Sequence, residues 1–189
     1  MGDPKKPRKK YERPLKPWDR AVLEESNRLA GMYGLRNKRE LWRAEFMARK
    51  YRRMVREALT LHPEEAAAIL KPAIQRLQKL GILGPDATPD DMLDITAKDF
   101  LERRLQTIVW KKGFAKTPYQ ARQMIVHGHI WVAGRRIRSP GYLVPVSEED
   151  KIECTHPEYL RAQAGEAPAE APAEAPAEAP AEGGEGGES

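Results

Sequence analysis

Between Arg103 and Arg138 the chain interleaves cations with hydrogen-bonding side chains: Arg103, Arg104, Lys111, Lys112, Lys116, Thr117, Tyr119, Gln120, Arg122, Gln123, His127, His129, Arg135, Arg136 and Arg138. Guanidinium forks and ammonium groups bind phosphate. Glutamine, histidine and tyrosine reach bases, riboses and 2′-hydroxyls. An earlier set holds Arg36, Lys38, Arg39, Arg43, Arg49, Lys50 and Arg53, preceded by Lys9, Lys10 and Arg13. These are the expected RNA-binding residues. A solvated charged face would use the same residue types, but it would not explain why cations outnumber anions in both segments.

Charge bookkeeping supports a polyanionic partner. The net charge is +5. Residues 165–189 hold seven Glu and no Lys or Arg, so the rest of the chain carries 33 basic against 21 acidic residues, or +12. Residues 1–60 stand at +10, 61–96 at −3 and 97–164 at +5. Two basic blocks around a mildly acidic one predict two surfaces facing a polyanion. Asn27 and Asn37 are the only asparagines, which fits a charge-rich thermophile protein but leaves the sign imbalance unexplained.

Other chemistries find little support. His127 and His129, with Cys154 and His156, are two pairs at a spacing of two, which on adjacent strands would be a Cys-His₃ zinc set. His127 falls at the expected helix end and spoils that geometry, so no metal is expected. Asp90, Asp91 and Asp94 follow Pro89 and are expected to cap a turn rather than hold a cation. There is no glycine-rich phosphate loop, Ser/His/Asp set or paired cysteine, so neither an enzyme nor a cofactor nor a small-molecule substrate is expected. The single cysteine fits a reducing cytoplasm. No apolar run approaches the roughly 20 residues of a membrane helix, so no membrane partner is expected.

The elements that must position these side chains are legible as follows. Residues 1–17 form an arm with seven Lys/Arg and four Pro, expected to be disordered until a polyanion neutralises it. Residues 18–95 read as helical. One helix spans about 19–32, with Val22, Leu29 and Tyr33 on one side and Gly31 and Gly34 ending it. The next starts at Asn37 with Glu40 completing a capping box, and Leu41, Ala44, Ala48, Tyr51 and Val55 form its apolar stripe. A third, with Ile69, Leu70, Ala73, Ile74, Leu77 and Leu80 inward, is expected to kink or split at Pro72.

Residues 96–156 predict a small α+β module. Thr96 opens one helix, buried through Leu101, Leu105, Ile108 and Val109 and stopped by Gly113. Thr117-Pro118 opens a second, with Gln120 placed for a capping box and Ala121, Met124 and Ile125 inward. The period then changes to two for a strand at Ile130–Val132, a turn at Ala133-Gly134 and a short return strand, with further strands expected at 143–144 and 151–154. On this pattern Arg104, Arg122 and Arg136 lie on polar sides and serve RNA rather than folding. Residues 157–189 are expected to be a disordered acidic tail; Glu-Ala-Pro-Ala repeats four times over 166–181, where no apolar residue is larger than Pro.

Phe100-Leu101-Glu102-Arg103-Arg104-Leu105 and the run from Ala121 to Gly134 resemble the first helix, and the second helix plus hairpin, of the S-four RNA-binding domain. Family members carry Asn where this chain has Ala133, so the turn loses a residue tolerant of the left-handed conformation while keeping Gly134. Tyr33-Gly34-Leu35-Arg36-Asn37-Lys38-Arg39-Glu40-Leu41-Trp42-Arg43, with the arm around Tyr11 to Pro14 and Trp18, is similar to the archaeal and eukaryotic type of the small-subunit ribosomal protein S-four family. The likeness covers roughly residues 8–156. It implies a cytoplasmic structural constituent of the small ribosomal subunit, a primary binder of ribosomal RNA. It further implies nucleation of the subunit body, a contribution to translational accuracy, and neighbouring small-subunit proteins including S-five. The alternatives are an RNA-modification enzyme or its accessory subunit, and a non-ribosomal RNA-binding adapter carrying the same domain. Pseudouridine synthases with this domain need a large β-rich catalytic part, and residues 1–96 read as helical.

Overall fold

The computed structural model describes residues 9–155. The expectations for residues 1–8 and for the 157–189 tail fall outside them. Among the described residues, α1 (Arg20–Met32), α2 (Lys38–Ala58) and α3 (Pro63–Lys79) are followed by α4 (Ala97–Glu102), α5 (Leu105–Lys111) and α6 (Pro118–His127). The strands β1 (Ile130–Val132) and β2 (Arg135–Arg136), the short α7 (Val146–Glu149) and β3 (Ile152–Cys154) complete the order. The fold is α+β, as its sequence pattern predicts.

Helix starts follow local chemistry. The Asp19 carboxylate accepts from the Ala21 N–H, and the Asn37 amide oxygen accepts from the Glu40 N–H. The expected capping box at Asn37 is half made, because the Glu40 carboxylate turns elsewhere. Thr96 and Asp99 form a full capping box. Thr117 caps Gln120, whose side chain accepts from the Lys116 N–H at 2.8 Å, one residue earlier than a standard box. α3 runs unbroken through Pro72, so the expected split does not occur. Asp91 accepts from both the Thr88 N–H and the Thr88 hydroxyl, capping the turn as expected.

Among the described residues there are two cores. The first joins Leu29, Tyr33, Leu41, Ala44, Ala48 and Val55 to Leu70, Leu77, Met92 and Ile95, and it also takes Phe100 and Leu101. The second joins Leu105, Ile108 and Val109 to Ala121, Met124, Ile125, Ile130, Val132, Val144, Ile152 and Cys154. The cores therefore divide between Leu101 and Leu105, and the single helix expected from Thr96 to Gly113 is two. α4 packs on α2, with Phe100 stacked on Tyr51 at 5.9 Å. The chain then turns at Arg103 and Arg104, where the Leu105 N–H donates to the Tyr142 carbonyl and the Val144 N–H to the Arg103 carbonyl. Arg104 and Leu143 pair as an isolated bridge, so residues 143–144, expected as a strand, serve as the strap across this break.

The sheet is antiparallel in the order β2-β1-β3, with Trp131 opposite both Arg136 and Glu153. Ile130, Val132, Ile152 and Cys154 face the core, and Trp131 and Glu153 face away. Ala133 sits at φ +48° and Gly134 at +74°, the pair of left-handed residues that a two-residue hairpin turn requires.

Candidate nucleic-acid interface

α2 separates its apolar and cationic residues cleanly. Leu41, Ala44, Ala48 and Val55 are buried, whereas Arg39, Arg43, Lys50 and Arg53 are exposed. Steps of four, seven and three residues bring each of those four cations back to one side of a helix, opposite the buried stripe. Arg53 pairs with Glu57 at 2.7 Å on the same exposed surface, an interaction worth little in water. Arg39, Arg43 and Lys50 have no side-chain partner among the described residues. Their spread from residue 39 to 53 covers about 20 Å of helix.

The arm departs from its expected disorder over residues 9–17. Tyr11 stacks on Trp42 of α2 at 6.1 Å, Glu12 accepts from Arg49 at 2.6 Å, and Lys9 lies 5.0 Å over the Tyr11 ring. One aromatic ring and one carboxylate seat this segment on protein without a polyanion. Lys9, Lys10 and Arg13 remain exposed there, and Arg49 is engaged by the arm.

In the module the arginines behave differently. Arg104, expected on a polar side, is 7% exposed. Its guanidinium binds Glu40 at 2.5 Å. Arg122 grips the same carboxylate with both terminal nitrogens, at 2.8 and 3.2 Å, and donates to the Gln106 side-chain oxygen at 3.2 Å. Burial alone would raise the Glu40 carboxyl, but hydrogen bonds from Arg122 and Arg104 outweigh it and hold the group below the usual carboxylate range. Gln106 is buried, and its amide nitrogen donates to the carbonyls of Tyr33, Gly34 and Pro118 at 3.2, 2.8 and 3.0 Å. One network thus ties α2 and the α1–α2 loop to α5 and α6.

Arg103 pairs with Glu149 at 2.8 Å and donates to the Val144 carbonyl at 3.0 Å. Arg136 covers the end of α6, donating to the carbonyls of Gly128 and His127 at 2.8 and 2.9 Å, where a helix leaves acceptors unsatisfied. The expectation that Arg104, Arg122 and Arg136 stand apart from the fold is therefore corrected: each holds an element in place. Lys111 lies 3.5 Å from Glu102, and Lys112 reaches Asp150 and the Glu149 carbonyl. Lys116, Thr117, Tyr119, Gln123, His127, Arg135 and Arg138 are exposed, as is Arg36 in the α1–α2 loop; Lys38, Gln120 and His129 are half-buried.

Glu40 and Gln106 are the residues whose roles the sequence reading missed. Glu40 reads as a cap because it stands three residues after Asn37. Gln106 had a usable signal: an amide inside the apolar run Leu105–Val109 needs buried partners.

Three of the four zinc candidates fall within the described residues. The His127 and His129 rings are 6.4 Å apart, Cys154 is buried, and His156 lies outside the described residues. Among the described residues no group of three His, Cys, Asp or Glu is placed to hold a metal ion. No helix there is long and apolar enough to cross a membrane.

A helix pair on a short antiparallel sheet, with cations around it, defines an S4-type RNA-binding module, and the S4 domain family matches residues 103–150. The match starts where the second core starts. The chain is 65% identical to the small ribosomal subunit protein uS4 of Korarchaeum cryptofilum, over 86% of this chain and 98% of that protein. It is 57% identical to the protein of the same name from Hyperthermus butylicus, over 81% and 87% of the two chains, and 55% identical to that of Sulfurisphaera tokodaii, again over 81% and 87%. The chain belongs to the uS4 family of small-subunit ribosomal proteins, of archaeal type.

Proposed function

We propose that this chain is a structural, non-enzymatic constituent of the small ribosomal subunit that binds ribosomal RNA along the cationic side of α2 and the exposed polar residues of the S4 module. The observation that carries this reading is the row Arg39, Arg43, Lys50 and Arg53 standing opposite the buried stripe of α2. Among the described residues Arg39, Arg43 and Lys50 have no side-chain partner and Arg53 has only an exposed pair with Glu57, whereas a phosphate backbone would use all four. Membership of the uS4 family supports ribosomal RNA as the polyanion. On the same reading the protein binds early, nucleates the subunit body and contributes to translational accuracy. It works in the cytoplasm beside neighbouring small-subunit proteins, S-five among them.

The test is the salt dependence of binding to small-subunit ribosomal RNA, for the full chain and for Arg39→Ala/Arg43→Ala/Lys50→Ala. Each lost phosphate contact should lower the slope of log K against log salt by about 0.7–0.9. The triple variant should therefore lose about 2–3 from its slope while melting like the parent. An unchanged slope would remove α2 from the interface.

A further inference from the structure

A groove of about 560 Å³ opens between the α1–α2 loop and α6, within the range of about 300–1,000 Å³ typical of small-ligand sites. Its walls come from both parts of the molecule: Leu35 and Arg36 on one side, Tyr119, Gln123, Val126 and His127 on the other. The walls are fixed rather than adjustable. Gly34, at φ +60°, lies so close to α6 that a Cβ there would meet Pro118 at 2.7 Å. Gln106 bonds the carbonyls of both walls.

Two lining residues leave apolar surface uncovered: Tyr119 is 57% exposed and Val126 is 50% exposed. The polar groups beside them are two guanidiniums, an amide and an imidazole; Arg122 is already held by Glu40, which leaves the Arg36 guanidinium open to a ligand. No acidic residue lines the groove, whereas Glu25 and Glu45 line the cleft beside Trp18, and Glu102 and Glu149 the one beside Lys111. An aromatic ring with an adjacent amide and a cation, free of carboxylates, matches a nucleotide: the ring stacks a base, the amide reads its edge, and the guanidinium takes the phosphate.

Resting on the RNA-binding reading above, we infer that this groove receives one unpaired nucleotide of the bound RNA, with its base against Tyr119, its edge within reach of Gln123 and its phosphate toward Arg36. The module then does more than follow a phosphate backbone. It selects RNA that offers a base outside a helix at this position.

The experiment uses the full chain with two RNA hairpins, one carrying a single bulged 2-aminopurine in its stem and one of the same length fully paired. Binding is read by fluorescence and by competition against small-subunit ribosomal RNA. The parent should prefer the bulged hairpin and quench its 2-aminopurine. Tyr119→Ala should lower affinity for the bulged hairpin by about 5- to 150-fold, the loss typical of one stacked base, and lower affinity for the paired hairpin by much less, so that the preference between the two collapses. Tyr119→Phe should keep the quenching. Val126→Asp, a change at an exposed position that adds a carboxylate to the groove, should reproduce the Ala phenotype without lowering the melting temperature. Absence of quenching by the parent, or an equal loss on both hairpins, would overturn the inference while leaving the RNA reading standing. So would a Tyr119→Ala protein that binds both hairpins normally but no longer sediments with small subunits, since the groove would then face a protein. If the parent binds neither hairpin nor ribosomal RNA in a salt-dependent way, the RNA reading fails and the inference with it.

Discussion

On α2, Arg39, Arg43 and Lys50 stand in solvent and no group among the described residues neutralises them. In the S4 module, Arg103, Arg104 and Arg122 turn inward onto Glu149 and Glu40. The difference follows from the architecture around each set. α2 is a long helix with a continuous apolar stripe, so packing fixes it and its far side is free to carry charge. The module is built from helices of four to ten residues and strands of two or three, with little apolar surface per element. It needs directional bonds to fix its orientation on α2, and arginine supplies them. In one region arginine is a surface offered to a partner, and in the other it is a fastener.

The sharpest way to break this comparison is to remove the carboxylate that receives both fasteners. Glu40→Gln should destabilise the protein by about 3–5 kcal/mol, because it strands the Arg104 guanidinium in a buried site. The acid limb of the stability profile should change with it. A carboxyl held below its unfolded value contributes stability that is present above the ordinary carboxylate range and lost as pH falls through the lowered native value. Thermal melts between neutral and strongly acidic pH should show that loss in the parent and not in Glu40→Gln. If the variant melts like the parent at neutral pH, the network is ornamental and the module is held by packing alone.

A smaller effect separates the two kinds of arginine directly. Arg104→Ala should lower stability substantially, leaving Glu40 with Arg122 as its one remaining partner. Arg39→Ala should change stability by no more than about 0.5 kcal/mol, as expected for an exposed position without partners, and should weaken RNA binding instead. Paired measurements of unfolding and of RNA affinity on both variants decide it. Equal stability losses would mean that α2 also uses its arginines structurally.

These roles mark where sequence reading stops. Elements were legible wherever a period or a cap was written locally: the α2 stripe, the Thr96 and Thr117 caps, the alternation at Ile130–Val132. So was the S4-type class, whose helix and hairpin residues are contiguous. The break at Arg103-Arg104 was not, because it depends on Tyr142, Leu143 and Val144, some forty residues away, while Leu101, Leu105, Ile108 and Val109 keep helical spacing straight through it. The fate of each arginine was illegible for the same reason. Arg122 and Gln123 are adjacent polar residues on one helix, and only the approach of Glu40, 82 positions earlier, makes one a strut and leaves the other in the groove. Pro72 misled in the opposite direction: local stereochemistry argues for a broken helix, and packing of Leu70, Ala73 and Leu77 into the first core keeps α3 continuous.

The smallest expected effect concerns a second carboxylate of α2. Glu45 lies five residues beyond Glu40 and is half-buried in the cleft beside Trp18, but it has no hydrogen-bond donor among the described residues. Burial pushes its carboxyl above the ordinary value, Arg49 opposes this and Glu25 adds to it. The sign is therefore opposite to that of Glu40. A raised native value means the folded state holds its proton more tightly than the unfolded chain, so the charged form costs stability as pH rises through that window. Glu45→Gln should leave the fold intact and raise stability at neutral pH by no more than about 0.5 kcal/mol, with the gain fading as the pH is lowered. Denaturant unfolding of Glu45→Gln and Glu40→Gln at matched pH values gives the comparison. Two carboxylates on one helix should move in opposite directions, because two arginines hydrogen-bond one, while for the other burial outweighs the attraction of Arg49. A loss of stability in Glu45→Gln would show that its attraction to Arg49 outweighs its desolvation, and that α2 carries a second fastener beneath the arm.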